Sequence, residues 1–114
     1  MKTKLEVARE MINDIDKEMV ELFKKRMEAV RMVALHKLEN NMAVLDSSRE
    51  ASIKEKNLNL LNDEELESYY LTFFEGVLTS SKDFQKVLIK NYEELKKWKG
   101  MHYSELSFLI AFLH

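Results

Sequence analysis

Ala8-Arg9-Glu10-Met11-Ile12-Asn13-Asp14-Ile15-Asp16, followed by Leu22-Phe23-Lys24-Lys25-Arg26, decides the fold class. Across this stretch and its flanks apolar side chains recur at heptad spacing: Leu5, Ala8, Ile12, Ile15, Met19 and Leu22, then Ala29 and Val33. That period describes an amphipathic helix. The a-type position between Leu22 and Ala29 is held by Arg26. A guanidinium on a buried seam is costly unless something anionic meets it. A conflict between pattern and residue choice is where function tends to show. A carboxylate partner within the chain or a wet seam explains Arg26 structurally; an anionic ligand explains it functionally.

The rest of the composition points the same way as the heptads. The 114 residues suffice for one domain with one core. There is no proline, glycine occurs only at Gly76 and Gly100, and strand signals are nearly absent. An all-helical fold follows. Zero cysteines exclude a disulfide scaffold and a thiolate metal site. A formal net charge of -2 supplies no basic field for nucleic acid. No signal peptide is evident, and no apolar run reaches the roughly 18 residues a membrane span needs. The expectation is a soluble, cytoplasmic protein.

Three helices are predicted. Thr3 and Glu6 form a capping box that opens the first, which runs to about Leu38. Asn40 and Asn41 favour a turn. Asp46, Ser47 and Ser48 are N-cap candidates for the second, with Ser47 and Glu50 in capping-box spacing, and it runs to about Leu61. Asn62 with Glu65 caps the third, which reaches about Trp98. Its expected apolar face holds Leu66, Tyr70, Phe73, Phe74, Val77, Leu78, Phe84 and Leu88. A helix of about 35 residues is roughly 52 Å long. A compact monomer of this size is only about 34 Å across. The rod therefore protrudes and leaves seam to be covered, most simply by a second copy of the chain, with an extended three-helix hairpin as the alternative.

Polar residues cluster around that architecture. Lys37 follows Arg26 by close to three helical turns, so both face nearly the same way, about 16 Å apart. Two such cations are suited to clasping a small anion. Arg9 lies roughly 25 Å from Arg26 along the axis and can share a small-ligand site with it only from a partner chain. Asp46, Arg49 and Glu50 share one face of the second helix, in the first turn where free amides favour anions. Ser81 and Gln85 stand one turn apart beside an apolar stripe on the third. Capping and solvated surface account for several of these residues taken singly. His36, His102 and His114 are scattered, and no nucleophile–base pair or glycine-rich phosphate loop is present. An enzyme built from this set works by positioning and fixed electrostatics.

The ordered set resembles the all-helical chorismate mutases. The opening stretch, with Val33-Ala34-Leu35-His36-Lys37, looks like that family's first helix. Asp46-Ser47-Ser48-Arg49-Glu50 looks like its loop and second-helix signature. Phe74-Glu75-Gly76-Val77-Leu78-Thr79-Ser80-Ser81-Lys82-Asp83-Phe84-Gln85 looks like its third, ending in Ser-x-x-x-Gln. The resemblance covers about residues 5 to 92. It implies an intertwined six-helix homodimer of long, short and long helices. It also implies a cofactor-free, metal-free pericyclic rearrangement of chorismate to prephenate in phenylalanine and tyrosine synthesis.

Carried over, the site comprises Arg26, Lys37, Asp46, Arg49, Glu50, Ser81 and Gln85, with Arg9 supplied in trans. The resemblance implies that Arg9 and Arg26 hold the carboxylates of the dianionic substrate. Glu50 and the backbone near Asp46 fix its ring hydroxyl, while Ser81 and Arg49 support the carboxylate end and the charge order. Lys37 and Gln85 donate to the ether oxygen, so Lys37, Gln85 and Arg26 are the expected catalytic set.

The expected division is a mutase-like domain over residues 1–92, then the end of the third helix and an apolar C-terminal extension of unknown role over 93–114. In the extension, Phe108, Leu109, Ile110, Phe112 and Leu113 are nearly contiguous, too short to span a membrane. An added helix covering apolar surface, the start of a second domain and a contact for higher assembly are all open there. Gly76 either permits a close helix approach or is simply tolerated at up to about 1 kcal/mol relative to alanine. An isochorismate pyruvate-lyase on the same fold and a non-catalytic helical dimerisation or regulatory module are the competing functions. Neither a nucleic-acid nor a membrane partner is expected.

Overall fold

The computed structural model describes residues 1–99. Among them the elements are α1 (Lys4–Glu39), α2 (Ser47–Leu61), a single 3-10 turn (Glu64–Leu66) and α3 (Glu67–Lys99). The fold is all-helical, in the expected order of long, short and long.

Local chemistry sets the boundaries. The Thr3 hydroxyl accepts from the Glu6 amide at 3.1 Å and starts α1. Asn40 closes it by donating its amide to the His36 carbonyl, and Asn41 takes the left-handed conformation at φ 53° that turns the chain. Asp46, rather than Ser47, is the N-cap of α2, its carboxylate accepting from the Arg49 amide at 3.0 Å. Asp46 also accepts from the Ser48 hydroxyl at 2.8 Å, and a charged carboxylate suits the positive end of the helix better than a neutral hydroxyl. Asn62 does not open α3 as expected. It ends α2 in the left-handed region at φ 47°, and Asp63 caps the 3-10 turn instead. Asparagine serves either end of a helix, and here the preceding one claims it.

α1 packs on α3, and α2 packs on α3. The core comprises Val30, Ala34 and Leu38 from α1 and Phe74, Leu78, Leu88 and Tyr92 from α3. Ala29 and Val33, assigned by heptad counting to the same seam as Arg26, lie on the exposed side. The chain's own packing face is one residue further round, so α1 carries two apolar stripes. Leu66 and Phe73 are likewise exposed rather than part of the α3 core face. A Cβ at Gly76 meets nothing within 4 Å, so no close helix approach within the chain requires glycine there. α3 passes through Tyr92 without a break, and Tyr92 itself is core. The apolar run Tyr103 to Leu113 lies outside the described residues.

The first 25 residues are exposed throughout. Leu5, Ile12, Ile15, Met19 and Leu22 are 43 to 62% exposed in the single chain. The radius of gyration is 18.7 Å, against about 13 Å for a compact chain of this length. No helix among the described residues is long and apolar enough to cross a membrane.

Candidate active site

The buried stripe of α3 advances by fours and threes: Phe74, Leu78, Ser81, Gln85, Leu88 and Tyr92. The two middle positions are polar. Ser81 and Gln85 are as buried as the apolar residues on either side, each at 6% exposure. Burying two hydrogen-bonding side chains within a hydrophobic stripe is unfavourable unless both are paired.

Both are paired, and their partners are the two cations of α1. The Arg26 guanidinium donates through Nη1 to the Ser81 hydroxyl. The Lys37 ammonium donates to Gln85 Oε1 at 2.9 Å. Side chains on a helix lean toward its N-terminus, which carries Lys37 back along α1 to Gln85 rather than onward to Tyr92. Lys37 also donates to the Val44 carbonyl at 2.7 Å, tying the α1–α2 loop to the same place. Ser81 in turn donates to the Val77 carbonyl at 2.8 Å, one turn back on its own helix.

α2 brings the acidic side of the site. The Asp46 carboxyl titrates below its ordinary range, chiefly because it accepts the Arg49 amide and the Ser48 hydroxyl, with the charges of Lys37 and Arg49 adding to this. Glu50 forms an ion pair with Lys82 of α3 at 2.9 Å, both side chains half-buried. Arg26, Lys37, Asp46, Glu50, Ser81 and Gln85 thus lie where α1, the loop and α2 meet α3, while Arg49 is exposed and enters through its backbone amide and its charge beside Asp46. Arg9 does not lie there. It sits exposed on the projecting half of α1, as the axial distance requires.

Two participants escaped sequence reasoning. Lys82 follows Ser81 directly and precedes Gln85 by three residues, a spacing that places it at the edge of the same face; only its neighbours could have pointed to it. The Val44 carbonyl carries no side-chain signal at all. Among the described residues no group of histidines and carboxylates is arranged to hold a metal ion.

Fixed cations lean over neutral hydrogen-bonding groups, and a capped carboxylate and an ion-paired one close the acidic side. Such a set suits an anion and a reaction in which charge builds on oxygen. Comparison with known proteins agrees. Residues 8–86 match the family described as chorismate mutase type II. The chain belongs to that family. A bifunctional chorismate mutase/prephenate dehydratase of Buchnera aphidicola subsp. Acyrthosiphon pisum (strain APS) is 36% identical over 87 residues, 75% of this chain and 23% of that protein. Its counterpart in Buchnera aphidicola subsp. Baizongia pistaciae (strain Bp) is 33% identical over 114 residues, 98% of this chain and 29% of that protein. This chorismate mutase type II chain therefore spans about a quarter of the length of the curated relatives it matches. No solved structure matches it.

Proposed function

We propose that the chain is a chorismate mutase, rearranging chorismate to prephenate within one molecule. The observation that carries this reading is the row of paired polar groups between α1 and α3, Arg26 with Ser81 and Lys37 with Gln85, buried in a stripe that is otherwise apolar. Family membership supports the substrate class. Synthesis of phenylalanine and tyrosine in the cytoplasm is the setting that goes with it.

Each residue has a task in this reading. Arg26 holds one substrate carboxylate, for which a planar fork is better matched than an ammonium. Glu50 and the backbone by Asp46 receive the ring hydroxyl, while Arg49 and Ser81 balance charge around the carboxylate end. Held at both carboxylates and at the ring hydroxyl, the substrate has its flexible enolpyruvyl arm restrained in the compact, reactive conformer. Lys37 and Gln85 then donate to the ether oxygen as its bond to the ring lengthens and negative charge grows on it. With Lys37 held on its carbonyl oxygen, Gln85 keeps its amide N–H groups for that oxygen. No covalent intermediate and no external proton are needed.

A second copy of the chain completes the reading. The exposed stripe of Leu5, Ile12, Ile15, Met19 and Leu22 supports a homodimer that buries it. A partner laid along α1 brings the partner subunit's Arg9 to the second carboxylate, a task this chain's own Arg9 is too distant to perform. The deciding experiment is loss of chorismate absorbance on adding the purified protein, with the product identified and isochorismate assayed alongside. Prephenate from chorismate supports the reading; pyruvate from isochorismate, or no turnover of either, overturns it. Sedimentation of the same sample tests the dimer.

A further inference from the structure

α2 and α3 are joined by two ion pairs of opposite polarity. Glu50 of α2 meets Lys82 of α3, and four residues on, Lys54 of α2 meets Glu75 of α3. Asn57 donating to the Tyr70 hydroxyl at 3.0 Å makes a third link. Numbers rising on α2 pair with numbers falling on α3, so the helices run antiparallel and the swapped polarity opposes any slip between them. The two ion pairs differ in place. The Lys54–Glu75 pair lies one turn further along α2 and outside the row of Ser81 and Gln85, close enough for the Lys82 charge to be felt at Glu75. Lys82 sits at the edge of the site's face, next to Ser81 in the chain, and it holds Glu50.

We propose that Lys82 is a positioning residue that acts on substrate through Glu50. A glutamate side chain has three rotatable bonds, and one left unpaired beside a site for a dianion turns away from it or repels it. The Lys82 ammonium takes Glu50 Oε1 at 2.9 Å, which offsets the carboxylate's charge and fixes its direction. Oε2 is left to accept from a ligand hydroxyl. Lys82 thereby makes Glu50 an arm that reads the ring hydroxyl without weakening the pocket's hold on carboxylates. The inference rests on the chorismate mutase reading.

A double-mutant cycle tests it, with steady-state kinetics on chorismate. Lys82→Met in the native background raises KM about tenfold, the size of one charge-assisted hydrogen bond, with kcat within about threefold. Lys82→Gln gives the same direction, and Lys82→Arg restores most of the loss. In a Glu50→Gln background, where there is no carboxylate to hold, Lys82→Met changes KM by less than about twofold. Lys54→Met, which cuts the neighbouring ion pair, lowers the melting temperature and leaves KM near that of the unaltered protein.

An unchanged KM in Lys82→Met overturns the inference. Equal losses in both backgrounds also overturn it, because Lys82 then touches substrate directly. A KM loss in Lys54→Met matching that of Lys82→Met overturns it in favour of general helix register. Absence of mutase turnover in the unaltered chain overturns instead the functional reading beneath it.

Discussion

Lys37 Nζ donates to Gln85 Oε1 at 2.9 Å while also donating to the Val44 carbonyl at 2.7 Å. One ammonium thus sets the orientation of a buried carboxamide and pins the loop that leads to Asp46. The pairing leaves the amide end of Gln85 as donor and keeps part of the Lys37 charge for a second acceptor. The chain's own hydrogen bonds hold both groups in place, which is what electrostatic preorganisation requires.

Lys37→Ala and Gln85→Ala are expected to lower kcat by about 10²–10³ each, the usual effect of removing one donor to a developing oxyanion. Neither residue belongs to the apolar cluster of Ala34, Leu38, Leu88 and Tyr92. Helicity by circular dichroism should therefore be retained. Turnover within tenfold of the unaltered protein in either variant removes the pair from the mechanism.

Arg26→Leu is expected to abolish turnover and raise stability. A half-buried guanidinium in an apolar bundle contributes little net, and a well-packed isostere is worth about 1 kcal/mol more. Loss of Arg26 does not strand its partner, because Ser81 still donates to the Val77 carbonyl. The melting temperature should rise by a few degrees without ligand. A dianionic analogue of the substrate should raise the melting temperature of the unaltered protein and leave that of Arg26→Leu unmoved. A variant that melts lower than its parent shows Arg26 to be structural.

The heptad pattern made the helices legible, because burial at a 3.6-residue period is written directly into residue choice. It did not distinguish the stripe α1 presents to α3 from the stripe it leaves bare. Val30 and Val33 are the same residue type three positions apart, yet one is buried and the other exposed. Periodicity records that a face is apolar, not which neighbour covers it. Arg26 and Lys37 were conspicuous as charges on an apolar rod. Ser81 and Gln85 were not, since small polar residues are common on helices, and only their burial gives them meaning. Lys82 was invisible for the opposite reason: a lysine at the edge of a helix face resembles any solvated lysine until Glu50 is seen across from it. Asn62 misled because its side chain suits either end of a helix.

Two carboxyls tie stability to acid pH. Asp46 is held below its ordinary value chiefly by the hydrogen bond from the Arg49 amide, and Glu75 by the hydrogen bond and charge of Lys54, with Lys82 adding to the latter. In each case the folded chain binds its proton less readily than the unfolded chain. The stabilisation is therefore fully present above the ordinary carboxyl range near pH 4 and is lost as pH falls through the lower folded values. Melting temperatures measured from pH 6 to pH 3 should fall at the acid end, modestly, because both carboxyls are exposed. In the combined Asp46→Asn, Glu75→Gln variant that fall should flatten, with a lower starting point at pH 6. An acid slope identical to the parent's assigns the loss to other groups.

Arg9 supplies the test of shared sites. If each site takes Arg26 from one chain and Arg9 from the other, Arg9→Ala and Arg26→Ala are each inactive alone. Unfolding equal amounts together and refolding them yields about half mixed dimers. In a mixed dimer one site combines the intact Arg26 of the first variant with the intact Arg9 of the second, and the other site lacks both. The mixture should therefore regain about a quarter of the activity of the unaltered protein. Sites built within one chain predict no recovery, because every chain in the mixture then carries a broken site. The two outcomes differ by a margin that a simple absorbance assay resolves, and the exposed α1 stripe from Leu5 to Leu22 predicts recovery.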